Sequence, residues 1–121
     1  MAAVAAGGAI GAAGRYVLVE ACTRAFGRGF PFGTLVVNVA GSLLMGLALA
    51  LAIERAALPE PWRAAAIAGV LGGFTTFSAF AGDTLILIEQ QRFALAGVNV
   101  AAHLLLCAAA VALGAAAGRM L

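Results

Sequence analysis

Nine consecutive residues, Gly72-Gly73-Phe74-Thr75-Thr76-Phe77-Ser78-Ala79-Phe80, interleave hydroxyl groups with aromatic rings inside an otherwise apolar run. Adjacent glycines followed by adjacent threonines are poor helix material. The segment can form a gentle kink, with hydroxyls bonding back to the preceding turn. It can also break, freeing backbone carbonyls that are tolerated at membrane depth only where protein, water or an ion satisfies them. The dense alternation of rings and hydroxyls favours the break. Phe77 and Phe80, three apart, share a helix face. Such a pair ordinarily packs in a core, but its ring edges carry positive potential. Edges attract an anion less tightly than a full charge does, and a transported ion needs that intermediate strength because it must also leave.

Two polar stripes accompany this segment. Thr34, Asn38, Ser42 and Gly46 recur every four residues, as do Asn99, His103 and Cys107. That spacing puts each set on one helix face. Each stripe is either a packing seam glued by hydrogen bonds or the lining of a conduit, and the spacing alone does not choose. His103 is the only histidine and is read as a hydrogen-bonded packing residue rather than a base or ligand. No Ser-His-Asp set, H-E-x-x-H or phosphate loop occurs, so the chain is not expected to be an enzyme.

The elements that must carry these residues follow from composition. The chain has 121 residues, 64% of them hydrophobic and only 10% charged, against about 25% charged in an ordinary soluble domain. Too few polar residues remain to cover a surface in water. Four apolar stretches reach the ~20 residues that cross a bilayer: about 3–22, 32–53, 62–88 and 93–118. The fold expected is an all-α, single-domain integral membrane protein with four transmembrane helices, the third broken near Gly72–Thr76. Short connectors (Thr23 to Pro31, Glu54 to Pro61, Glu89 to Arg92) make neighbouring spans antiparallel. The N-terminus lacks the positive region of a signal peptide. Small residues recur four apart at Gly7 and Gly11, Ser42 and Gly46, Gly69 and Gly73, and Gly114 and Gly118, a spacing that lets helices approach closely in lipid. Cys22 and Cys107 form no metal-ligand spacing and are read as buried small apolar residues.

The net charge of +2 sets seven arginines, with no lysine, against five acidic residues, and the arginines are too scattered for nucleic acid. Arg55, Arg63 and Arg119 fall on one side of a four-span arrangement and Arg24, Arg28 and Arg92 on the other, with Arg15 inside the first span. Cytoplasmic loops normally hold the excess of basic residues, so this tie expresses no preferred orientation. It favours dual topology, with copies inserted both ways and paired antiparallel.

Over nearly its whole length the chain resembles the Fluc (CrcB-type) fluoride channels. Three motifs in order carry the likeness: Gly7-Gly8-Ala9-Ile10-Gly11-Ala12-Ala13-Gly14-Arg15-Tyr16, Gly33-Thr34-Leu35-Val36-Val37-Asn38-Val39-Ala40-Gly41-Ser42, and Gly72 to Phe80. The resemblance implies a passive fluoride channel of the plasma (inner) membrane. It implies an antiparallel homodimer, or a heterodimer with a paralogous subunit, containing two pores. By the same resemblance Phe77 and Phe80 are the pore-lining rings, Asn38 the pore asparagine and Arg15 the vestibule arginine. Ser78 is a hydroxyl of the polar track. The backbone carbonyls of Gly72 and Thr75, from both subunits, hold a central structural Na+. The physics of these roles is consistent. Fluoride leaves its hydration shell only where donors replace it, and Asn38 and Ser78 can donate. Two departures stand out: Ala79 where the family usually has Thr, and Asn99 about where it often has Tyr.

Two other functions fit a short four-span chain. A proton-coupled exporter of the small multidrug-resistance type needs an embedded carboxylate in the first span, where this chain has Arg15, with Glu20 only near the end. A non-transporting assembly subunit explains the small-residue spacing but leaves Gly72 to Phe80 without a purpose.

Overall fold

The computed structural model describes residues 1–121. Four long helices account for nearly all of it: α1 (Ala2–Phe26), α2 (Phe32–Glu54), α3 (Trp62–Glu89) and α4 (Phe93–Met120). The shortest has 23 residues and extends about 35 Å at 1.5 Å per residue, enough for a ~30 Å hydrocarbon core. All four are apolar enough to cross a membrane. The last turn of α2, Ala50–Glu54, and the stretch Ala65–Leu71 of α3 widen to π-helical bonding.

α3 is interrupted, though not at its glycines. Gly72 keeps helical angles (φ −63°, ψ −38°), and the break falls one turn later. Thr75 and Thr76 are extended, at φ −79°, ψ 156° and φ −153°, ψ 116°, before a second helical half, Phe77–Glu89. Gly73 instead packs against the backbone of Gly8 on α1.

α1 also runs further than its expected end at Cys22. The Thr23 hydroxyl donates to the Val19 carbonyl at 2.9 Å, and the Gly27 amide closes the final turn on Thr23. Gly27 then leaves the helix at φ 77°, a conformation open to glycine at no steric cost. The connection to α2 shrinks to residues 27–31.

Large apolar side chains such as Ile10, Val17, Leu105 and Leu113 lie on the outside, as a lipid-facing surface requires. Apolar burial gives little drive between helices in lipid, so close backbone contact must supply the cohesion. Two glycine seams do so. Gly7 and Gly11 of α1 face Gly69 and Gly73 of α3; a Cβ on Gly73 would sit 2.6 Å from the Gly8 carbonyl oxygen and one on Gly69 2.9 Å from that of Val4. On α2 and α4, a Cβ on Gly46 would overlap the Val111 carbonyl, and one on Gly114 the Leu43 carbonyl. The four-residue spacings thus pair with one another, apart from Ser42, which faces a groove. At the far end of the α2–α4 seam, Glu54 receives Arg119 Nε and Nη2 at 2.8 and 2.9 Å, and Arg55 donates to the Arg119 carbonyl. These groups are exposed, so they set register more than strength.

Gly114→Val is expected to destabilise the detergent-solubilised protein by about 1–3 kcal/mol, the usual cost of overpacking. Gly97→Ala, on the same helix with nothing within 4 Å of its Cβ position, is expected to change stability by under about 1 kcal/mol. Thermal unfolding of both variants checks the contrast.

Candidate functional site

The break in α3 is held by one side chain. Asn38 Nδ2 donates to the Thr76 carbonyl at 2.9 Å, and Asn38 Oδ1 accepts from the Thr76 amide at 2.8 Å. The asparagine amide therefore replaces a peptide group for an extended residue at membrane depth. Asn38 and Thr76 are both buried, where leaving such groups unpaired is costly. Thr76 then caps the second half of α3: its Oγ1 accepts the Ala79 amide at 3.2 Å, the usual N-cap bond. Thr75 turns back, its hydroxyl donating to the Leu71 carbonyl at 3.0 Å. The kink and break patterns thus coexist on adjacent threonines.

This diversion has a consequence for the carbonyls. In a continuous helix the Thr76 amide would serve the Gly72 carbonyl, and the Ala79 amide that of Thr75. Both amides are engaged elsewhere, by Asn38 Oδ1 and by Thr76 Oγ1. The Gly72 and Thr75 oxygens have lost their helical donors.

The same geometry opens a groove of about 460 Å³ between α2, the α3 break and α4. Asn38 and Ser42 line it from α2, Phe77 and Phe80 from α3, and His103 and Cys107 from α4. The Phe77 and Phe80 rings are 5.4 Å apart and tilted by 57°. Phe77 is 78% exposed on the single chain, so its ring has no covering partner within its own chain. Phe80 leans on His103, with centroids 4.3 Å apart. Cys22 and Cys107 are free thiols; Cys22 is buried, whereas Cys107 is half-buried at the groove.

The other expected residues lie elsewhere. Thr34 donates to Asp83 Oδ2 at 2.7 Å and lines a second cavity of about 440 Å³, with Glu20, Arg28 and Arg92 around it. Asn99 is fully buried behind the groove, its Nδ2 donating to Thr84 Oγ1 at 3.0 Å. Ser78 is exposed and outside the groove lining, 3.4 Å from the Thr76 hydroxyl. Arg15 is half-buried and forms no hydrogen bond or ion pair within the chain. Three participants had no assigned role: Thr76, Thr84 and Asp83. An embedded carboxylate is a signal in its own right, and a threonine opening a helix is a capping signal.

Comparison with known proteins places this architecture. A family model described as CrcB-like protein, Camphor Resistance (CrcB), matches residues 2–115. The chain belongs to this family. It is 50% identical over 111 residues to the fluoride-specific ion channel FluC of Shewanella amazonensis, covering 92% of this chain and 89% of that protein. The protein of the same name from Magnetococcus marinus is 46% identical over 118 residues, covering 98% and 96%. The one from Vibrio parahaemolyticus is 45% identical over 111 residues, covering 92% and 87%. CrcB-like membership sets the chain among multi-pass membrane proteins rather than enzymes.

Asn38→Leu leaves the Thr76 amide and carbonyl without partners, each worth about 1–3 kcal/mol when buried and unpaired. The expected loss from the two groups together is about 2–6 kcal/mol of unfolding free energy. Equilibrium unfolding in detergent measures it.

Proposed function

We propose that the chain is a subunit of a fluoride-specific channel that lets fluoride leave the cell passively across the plasma (inner) membrane. The single observation that carries this reading is the groove itself: the Asn38-anchored break presents the Phe77 and Phe80 rings beside amide and hydroxyl groups, in a chain about half identical to proteins named for fluoride conduction. Fluoride demands donors in place of its water. Asn38 supplies one amide, Ser42 and Ser78 supply hydroxyls, and ring edges supply weaker attraction that allows release. Arg15, without a partner in its own chain, raises the local anion concentration. Thr34 and Asn99 support the pathway from behind, through Asp83 and Thr84.

The working unit in this reading is an antiparallel pair of chains with two pathways. The arginine tie supports it, as does the uncovered Phe77 ring, which a second copy would complete. A homodimer is the simpler form; a paralogous partner is the other. Surrounding lipid covers the remaining apolar surface.

A resident Na+ fits the same residues. Hard monovalent and divalent cations take oxygen ligands, and the Gly72 and Thr75 carbonyls are oxygens released from helical bonding. Two such carbonyls from each chain would hold the ion, which would add a fixed positive charge near the centre of the pair.

Purified protein in liposomes should release fluoride rapidly and chloride not at all, read with ion-selective electrodes. Phe80→Ile is expected to slow fluoride release about tenfold, the rate equivalent of ~1.4 kcal/mol, with the dimer intact by cross-linking. Drug-driven proton flux without fluoride release would contradict the channel reading, and unchanged flux in Phe80→Ile would remove the rings from the pathway.

A further inference from the structure

The proposed pathway uses amide, hydroxyl and ring groups, but the groove also contains an imidazole with an unmet bond. His103 is 6% exposed. Its Nδ1 lies 3.0 Å from the Asn99 carbonyl oxygen, on its own helix. A carbonyl can only accept, so Nδ1 carries the proton in the neutral ring. The other nitrogen, Nε2, is then a bare acceptor, and it is buried without any partner. Asn99 Oδ1, one turn away, is likewise a buried acceptor without a donor. At the groove itself the neutral imidazole offers a bare acceptor and no free N–H, which is the wrong polarity for an anion. One proton on Nε2 reverses it. The imidazolium has an N–H to give and a positive charge, and it lies beside the Phe80 ring, with centroids 4.3 Å apart and planes tilted by 43°, within the distance of a cation–π contact.

We infer that His103 is a proton-dependent fluoride-binding residue of the groove: protonated at Nε2, it donates to the passing anion, and neutral, it disfavours it. This rests on the fluoride reading of the groove and adds regulation by pH to it. The proton comes from bulk water and returns there, and no bond other than N–H forms or breaks. Imidazole is the side chain whose ordinary charge change falls between about pH 5 and 8. The titratable and charged groups around it are few. Cys107, one turn along α4, is the other titratable group lining the groove. On α3, Asp83 lies one turn beyond Phe80 and is bonded to Thr34 in the second cavity, where Glu20 of α1 also lies. α2 brings Asn38 and Ser42 but no charge to the groove.

The chain's single histidine makes the test direct. In protein carrying 15N-labelled histidine, in lipid nanodiscs, the imidazole nitrogens are followed through a pH titration with sodium fluoride or sodium chloride. If fluoride prefers the protonated form, linkage requires that fluoride favour protonation in return. The expected result is a midpoint raised by at least about half a pH unit in fluoride, a threefold preference, and not in chloride. A midpoint that fluoride does not move overturns the inference without needing any variant. In liposomes, corrected for protein-free leak, wild-type fluoride release should rise several-fold as the pH falls through the midpoint that the nitrogen titration gives. His103→Gln, which always has a donor and cannot titrate, should conduct with a flat profile. The same acid dependence in His103→Gln overturns the inference while the channel reading stands. No fluoride release from wild type at any pH overturns both.

Discussion

A peptide group cannot be left unpaired in a hydrocarbon layer, and in this protein one asparagine allows a helix to be interrupted there. Asn38 offers the carbonyl and N–H of its side-chain amide to the N–H and carbonyl of Thr76, at 2.8 and 2.9 Å. The two residues are 38 positions apart in sequence, so the bond also ties α2 to the middle of α3. Everything distinctive about the groove depends on it. Thr76, held extended, caps the second half of α3, which sets the direction in which Phe77 and Phe80 project. The diverted amides release the Gly72 and Thr75 carbonyls. A continuous α3 would bury none of these features differently; it would not have them.

Such a device needs a rigid frame, because a hydrogen-bonded pair is sensitive to small shifts. The frame consists of two backbone-to-backbone seams. One clamps α1 to the first half of α3 through Gly7, Gly11, Gly69 and Gly73; the other clamps α2 to α4 through Gly46 and Gly114. The second seam carries Asn38 and His103 on its two helices, and the first carries the residues just before the break. Gly41 lies where the pieces meet, its Cβ position blocked by the Thr75 side chain and 3.3 Å from the Phe74 ring. Close packing in lipid here serves to hold polar groups in register rather than to bury apolar area.

The sequence made the four spans legible because hydrocarbon thickness and composition leave little freedom. The glycine spacings were legible as a class, although only the structure shows which pairs with which. The break was visible as a conflict of propensities over Gly72 to Thr76, and it falls inside that range. Which residues open was not legible: close contact with α1 keeps Gly73 helical, so the conflict is resolved at Thr75 and Thr76. Polar stripes at helical spacing were less informative. Asn38, Ser42, His103 and Cys107 do share one groove, but Thr34 and Asn99 turn to Asp83 and Thr84 instead. The distinction depends on partners from other helices, which no single-helix pattern contains. Arg15 has no partner within the chain, and Ser78 has only the Thr76 hydroxyl at 3.4 Å, so contacts within one chain reveal no role for either.

If Asn38 alone satisfies the interrupted backbone of α3, its removal must expose that backbone and little else. Amide hydrogen exchange at single-residue resolution tests this most directly, comparing wild type with Asn38→Ala in lipid. The Thr76 amide should be protected in wild type and exchange at least about tenfold faster in the variant, the factor for ~1.4 kcal/mol. Amides along the α1–α3 glycine seam should remain protected. Equal protection of Thr76 in both proteins would contradict the central role of Asn38, because some other group would then be holding the break.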